Sequence, residues 1–193
     1  MLEEILLPHE AMIRLTGSKV VMPGYHAVHG TNCVENSYIL KDILRDYVGF
    51  DGMVVSDYTA IDQIPGLDTP VQKAAAAINA GNDVDFPTGS DYQYLQEAMD
   101  QRLVAPETFE RAVKNVLRHK FRAGLFDKDP YLYSTETIVL DTPEERQTSY
   151  DIASQSIVLL ENNGILPLKD PAKIFVTGPN ANSMWAMCGD YSY

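Results

Sequence analysis

The chain has 193 residues, of which 45% are hydrophobic and 22% charged, a balance that belongs to folded material and excludes a disordered tail. Its formal net charge of −12 argues against a nucleic-acid backbone or an anionic membrane as partner and suits a neutral or cationic ligand. Nor is there an apolar run of about 18 residues that would read as a membrane span, and Cys33 and Cys188 stand far apart with no Cys/His cluster of zinc-ligand spacing.

Residues 2–16 are helix-like, with Leu2, Ile5, Leu6, Met12 and Leu15 as the apolar positions, and Pro8 is expected to weaken or bend that helix. The opening MLEEILLPHEAM carries acidic residues where a leader peptide needs basic ones. It reads as a helix start inside a larger protein. "SKVVMPGY", Ser18 to Tyr25, predicts a short strand and a Pro-Gly turn. "NSYILKDILRDYV", Asn36 to Val48, predicts a helix capped by Asn36 or Ser37, with Tyr38, Ile39, Ile43, Leu44 and Val48 on its apolar face.

"DGMVVSD" follows as a second strand, and "TPVQKAAAAINAG", Thr69 to Gly81, has a Thr cap, a Pro in its first turn and a Gly stop. "NDVDF" is a third short strand, and helices over 91–101 and 105–124 follow. Strand and helix thus alternate at the lengths of βα units. This predicts an α/β fold with parallel strands and ligands at their carboxyl ends, met equally by a (β/α)8 barrel or a doubly wound sheet. The stretch 124–145 is rich in turn formers and reads as a linker. A helix is expected from about Pro143 to Leu160 and a strand over Lys173 to Thr177, with a last helix beginning near Asn182.

Three strand ends could carry chemistry: Tyr25 and His26 on the first, Asp57 and Tyr58 on the second, and Asp83, Asp85 and Phe86 on the third. A carboxylate flanked by aromatic rings is a composition suited to sugars, because the acid does the chemistry while the rings stack on apolar sugar faces. From position alone Asp57 is either a turn residue or a working group. "DKDPYLYSTE" lacks the central Gly and ligand spacing of a calcium loop, and no Gly-rich phosphate loop is present. Neither a metal nor a cofactor is expected.

"GFDGMVVSDYTAI" closely resembles the nucleophile segment of family 3 glycoside hydrolases, the β-glucosidase and β-xylosidase family. The resemblance extends, in the family's order, through "VVMPGYHAVHGTNCVENSYILKDILRDYVGFDG", "AINAGNDVDF", "TFERAVKNVLRHKFRAGLFD" and "SQSIVLLENNGILPLKDPAKIFVTGPNANSMWAMCGDYSY". It implies that residues 1–123 are the C-terminal portion of a (β/α)8 barrel, that 124–145 are a linker, and that 146–193 are the linker helix and start of a second α/β sandwich domain.

It also implies that Asp57 is the catalytic nucleophile of a retaining, exo-acting β-glycosidase, most simply a β-glucosidase, working through a covalent glycosyl-enzyme. Tyr58, where many relatives carry Trp, is expected to wall the sugar. Tyr25 is expected to position Asp57 or touch the sugar ring, and His26 is carried as a pocket residue. The partners implied are β-linked glucosides or short oligosaccharides, with no nucleic acid and no membrane. No segment matches the family's acid/base Glu, and Glu161 reads as a solvated helix charge. The chain by itself is therefore expected to show no appreciable glycosidase activity. A β-xylosidase of the same family, or a non-catalytic carbohydrate-binding protein on the same scaffold, are the alternative readings; compartment and oligomeric state are not indicated.

Overall fold

The structure, a computed structural model, describes residues 2–127, 138–169 and 173–188. The chain divides into two compact units, Met1–Leu132 and Tyr133–Tyr193. In the first unit β1 (Val20–Val21) lies parallel to β4 (Met53–Val54), with Val20 opposite Met53 and Val21 opposite Val54. Met53 N–H donates to the Lys19 carbonyl at 2.8 Å and Val55 N–H to the Val21 carbonyl at 3.0 Å. Val84 then bridges Val55, again in parallel. Two of the three expected parallel strands thus pair, the third is present as one parallel bridge, and helices separate them along the chain, as parallel pairing requires.

They are shorter than the sequence suggests. "NDVDF" keeps a single bridge: the Asp83 and Val84 N–H groups both donate to the Val54 carbonyl, and Phe86 N–H donates to Ser56 Oγ and not to a carbonyl. Gly52 is required at the start of β4, where a Cβ would stand 2.4 Å from the Lys19 carbonyl and 2.3 Å from the Phe50 ring.

Between the first two parallel strands the chain makes a hairpin that periodicity does not reveal, β2 (Ala27–Val28) against β3 (Thr31–Asn32). Its two-residue loop, His29-Gly30, has φ of 54° and 81°, the pair of positive values that matches the twist of hairpin strands. Asn36 fastens this hairpin to the next helix. Its Nδ2 donates to the Val28 carbonyl at 3.0 Å and its Oδ1 accepts the Ile39 N–H at 3.2 Å, so Asn36, not Ser37, supplies the cap.

The helix that follows, Tyr38–Tyr47, is wound with hydrogen bonds that skip to the fifth residue, as in Val48 N–H to the Ile43 carbonyl. Ile43, Leu44 and Val48 of the expected face are buried and Ile39 packs partly buried against the core; Leu40 is buried in addition, and Tyr38 is half exposed. A similar wide turn, Leu2–Leu6, leads into α1 (Leu7–Thr16), so the winding changes beside Pro8, the residue expected to weaken this helix. Ile5, Met12 and Leu15 are exposed, and Ile13 is what packs on the core. The expected apolar face of this helix is therefore not a buried one.

The centre of the unit is α2 (Pro70–Ala80). Thr69 and Gln72 cap each other reciprocally at its start. Its alanines let neighbours approach closely. Ala74 and Ile78 pack with Leu95, Ala98 and Val104, Ala77 packs with Val34, Ile61 and Ile64, and Ala80 packs with Leu40, Phe50 and Val54. The expected helix 91–101 forms as a tight turn, Tyr92–Tyr94, followed by α3 (Leu95–Asp100), and α4 (Pro106–Arg122) matches its expected span.

In the second unit α5 (Pro143–Ser156) begins with a reciprocal cap between Thr142 and Glu145. It ends four residues short of the expected Leu160. Ile157 is already extended, with φ −73° and ψ 120°, as a β-branched Ile-Val pair favours. Glu161 is therefore an exposed charge beyond the helix and not on it. Residues 173–177 do not form the expected strand: Ile174, Phe175 and Val176 are exposed, and no segment among the described residues pairs with them. The short α6 (Met184–Cys188) is the last described element. The middle of the expected linker, and all but Asp127 of the stretch compared with a calcium loop, falls on 128–137, outside the described residues.

Candidate active site

The site begins where the ladder between β4 and Val84 stops. Val54 and Val55 are buried and Ser56 is fully so, whereas Asp57 is half-buried and Tyr58 is exposed. The chain turns here. Tyr58 N–H donates to Asp57 Oδ1 at 2.7 Å, Ala60 N–H to the Asp57 carbonyl at 3.2 Å, and Thr59 takes a positive φ of 58°. Asp57 is thus both a turn residue and available for more. One carboxylate oxygen fixes the turn, and Oδ2 accepts no hydrogen bond among the described residues.

Aromatic side chains gather around this turn. The Tyr25 hydroxyl donates to the Tyr58 carbonyl at 2.7 Å, binding the end of the first strand segment to the turn after the second. The rings of Tyr58 and Phe86 meet edge to face, with centroids 6.2 Å apart and planes at 81°. All three rings are partly exposed. Tyr25, Asp57 and Tyr58 are therefore brought together, as the sequence suggested, and Phe86 joins them. His26 is elsewhere. It lines a separate, largely apolar hollow of about 280 Å3 with Ile5, His9, Cys33 and Ile43, which includes neither Asp57 nor Tyr58. The Cys33 thiol in that hollow has its pKa raised by burial.

The two acidic residues of the third segment have structural partners. Asp83 is buried and tied to several elements: it accepts the Val54 N–H at 2.9 Å, pairs with Arg45 at 3.1 Å and Arg111 at 3.9 Å, and accepts from Asn115 at 3.3 Å. Burial opposes its charge, while the Val54 N–H, Arg111, Arg45 and Asn115 favour it. Asp85 Oδ2 accepts the backbone N–H groups of Asp91 and Tyr92 at 2.8 and 3.2 Å. Asp91 is also buried, and its pKa is pushed up to about 6, first by burial and then by the negative charges of Asp85 and Asp62, with Lys73 pulling the other way. Ser56 and the partners of Asp83 could not be singled out from spacing, whereas Phe86 was marked by its place at the third strand end. A buried hydroxyl directly before a strand-end acid was the only local sign of Ser56. Among the described residues no cluster of three or more His, Cys, Asp or Glu could hold a metal ion.

Parallel strands whose carboxyl ends present a pinned carboxylate among partly exposed aromatic rings define an α/β protein with a candidate site of the kind that handles sugars. Comparison with known proteins makes this specific. The profile of the glycosyl hydrolase family 3 N terminal domain matches residues 1–119, and the chain belongs to that family. A beta-xylosidase of Formosa agariphila is 33% identical over 98% of this chain and 28% of its own length. A beta-glucosidase of Rhizobium radiobacter is 34% identical over 97% of this chain and 22% of its own. Among solved structures, the beta-glucosidase of Listeria innocua in complex with glucose superposes with a TM-score of 0.66 at 30% identity, over 84% of this chain and 23% of that one. The chain thus spans about a quarter of the length of the relatives it matches.

Proposed function

We propose that this chain carries the nucleophile of a retaining, exo-acting β-glycosidase, with Asp57 as the attacking carboxylate. The observation that supports this best is its placement: it stands at the carboxyl end of the central parallel strand segment, with Oδ1 held by the Tyr58 N–H and Oδ2 accepting no hydrogen bond among the described residues. Such a carboxylate is oriented before substrate arrives, which lowers the entropic part of the barrier.

In this reading Asp57 attacks the anomeric carbon, the glycosidic oxygen leaves with a proton from a second carboxyl group, and water later releases the sugar from the covalent ester. The second carboxyl must stand about 5–5.5 Å from the first in a retaining pair, and none in this chain is assigned that role. Tyr58 and Phe86 offer an edge-to-face pair as a wall for an apolar sugar face. Tyr25 acts on Asp57 indirectly, through the Tyr58 carbonyl. His26, in its separate hollow, has no part in this reading.

The same reading makes residues 1–123 a C-terminal portion of a (β/α)8 barrel, 124–145 a linker and 146–193 the start of an α/β sandwich. β-Glucosides are the proposed substrates, a choice supported by the glucose complex of the Listeria innocua relative. A second reading, β-xylosides, is favoured by the beta-xylosidase relative from Formosa agariphila. The test is trapping with 2-fluoro glucoside and 2-fluoro xyloside in an active polypeptide carrying these residues, followed by peptide mapping. The label is expected on Asp57, from the glucoside faster than from the xyloside. A label on another carboxylate overturns the assignment of Asp57, and the reverse order overturns the choice of glucose.

A further inference from the structure

We propose that Ser56 is a positioning residue for Asp57, its hydroxyl taking the place of a backbone carbonyl in the sheet and so releasing the chain into the turn that aims the carboxylate. The proposal rests on Asp57 being the nucleophile. Its basis is the hydrogen-bond ladder. In a parallel pair each residue of one strand exchanges bonds with residues on either side of its partner, in regular succession. Here Val84 N–H donates to the Val54 carbonyl at 3.2 Å, and Ser56 N–H to the Val84 carbonyl at 2.9 Å. The next rung of a regular ladder runs from Phe86 N–H to the Ser56 carbonyl. Instead, Phe86 N–H donates to Ser56 Oγ at 2.9 Å. The rung is kept, and the Ser56 peptide group is free to leave the strand direction.

The turn is then clasped again from the same residue, because Thr59 N–H donates to the Phe86 carbonyl at 3.0 Å. Asp57 and Tyr58 are therefore held between two bonds to one residue, Phe86, whose ring also meets the Tyr58 ring. Serine suits this place for a physical reason. Ser56 is 0% exposed, so the position takes a small side chain, and among small side chains alanine and glycine offer no acceptor. Removing the hydroxyl leaves a partly buried Phe86 N–H without its acceptor and unlocks the first clasp. Ser56 touches no substrate atom; it acts through the orientation of Asp57.

The test uses an active polypeptide carrying these residues. Ser56→Ala is expected to lower kcat by about 100-fold, the order expected for an ångström-scale misplacement, with KM changed less than about threefold. The rate of labelling by a 2-fluoro glycoside should fall in step with kcat. Thr69→Ala, which removes a helix cap that shares no hydrogen bond with Ser56, Asp57 or Phe86, serves as the control and leaves both rates unchanged. Ser56→Thr and Ser56→Val have nearly the same shape and differ in the hydroxyl, so they carry the test if the alanine variant does not fold. The Thr variant should exceed the Val variant by about 10-fold in kcat. Equal rates for that pair, or a kcat for Ser56→Ala within twofold of the parent, overturn the role of Ser56. Labelling that persists in Asp57→Asn overturns the nucleophile assignment instead, and the two failures are thereby told apart.

Discussion

Helices α2 and α5 open with the same local device and come to opposite ends. Each begins Thr-Pro, each has a reciprocal cap between the threonine and a residue three further on, Gln72 in one and Glu145 in the other. Yet α2 buries Val71, Ala74, Ala75, Ala77, Ile78 and Ala80, and α5 buries none of its residues. Among the described residues of the second unit no side chain is buried at all, although Ile157, Leu160 and Phe175 are large and apolar. The difference teaches that a helix start is a local property, set by orphan N–H groups and a side chain that can accept from them. Burial is set by what lies opposite.

The largest effect should come from the ion-paired centre of the first unit, for which the second has no counterpart among its described residues. Asp83→Ala leaves Arg45 and Arg111 without their buried carboxylate and the Val54 N–H without an acceptor. It is expected to destabilise the first unit by about 3–5 kcal/mol, read by hydrogen exchange of amides in α2 and β4. Exchange in α5 should be unchanged, and parallel acceleration there would break the contrast. Next, Ile78→Ala and Ile152→Ala remove the same atoms from a side chain 1% exposed and from one 64% exposed. The first should cost about 2–5 kcal/mol and the second no more than about 0.5 kcal/mol.

A smaller effect, dependent on pH, tests the cost of burial itself. The Asp91 pKa in the folded chain is about 6, raised above its ordinary value chiefly by burial. The folded state therefore holds this proton more tightly than the unfolded one. The stabilisation is complete below the ordinary carboxylate range and is lost as pH rises through about 6. Asp91→Asn removes that loss, so its Tm should exceed the parent's above pH 7, by about 5 °C, and the gap should narrow toward pH 4. Asp151→Asn, an exposed change on α5, should give no such gap at either pH. The smallest effect should show the two helices as alike: Thr69→Ala and Thr142→Ala each remove a cap, and each should cost its own helix about 1 kcal/mol, measured by amide exchange in the first turn.

The same division explains what could be read from the sequence. Thr69, Pro70 and Gly81 marked α2 to within a residue, because caps and stops are written locally. The three parallel strand segments were legible from apolar runs of the right spacing, and the place of Asp57 at a strand end followed from them. The His29-Gly30 hairpin was missed because its strands are two residues long and show no period. The buried face of the helix Tyr38–Tyr47 was read correctly at Ile43, Leu44 and Val48, while Leu40 was left out and Tyr38 proved half exposed. Asp83 and Asp85 stood alike as strand-end acids, but the Asp83 partners Arg45, Arg111 and Asn115 are distant in sequence, and only the folded chain shows that Asp83 joins them while Asp85 serves a turn. Ser56 needed the ladder itself, since a hydroxyl standing in for a carbonyl is invisible until the rungs are in place.

The Asp83 cluster also acts as a proofreader of strand alignment. Side chains alternate along a strand, so a shift of one residue would bring Val84 to face Arg45 and Arg111 and leave two cations and the Val54 N–H against a hydrocarbon. That misalignment is penalised far more heavily than a mismatch between apolar side chains would be. The segment ending at Phe86 is therefore held against a one-residue slip beside β4, and the alignment it keeps is the one that brings Phe86 to Ser56 and fixes the turn at Asp57. The chain checks its own arithmetic in the interior before the carboxylate is set at the surface.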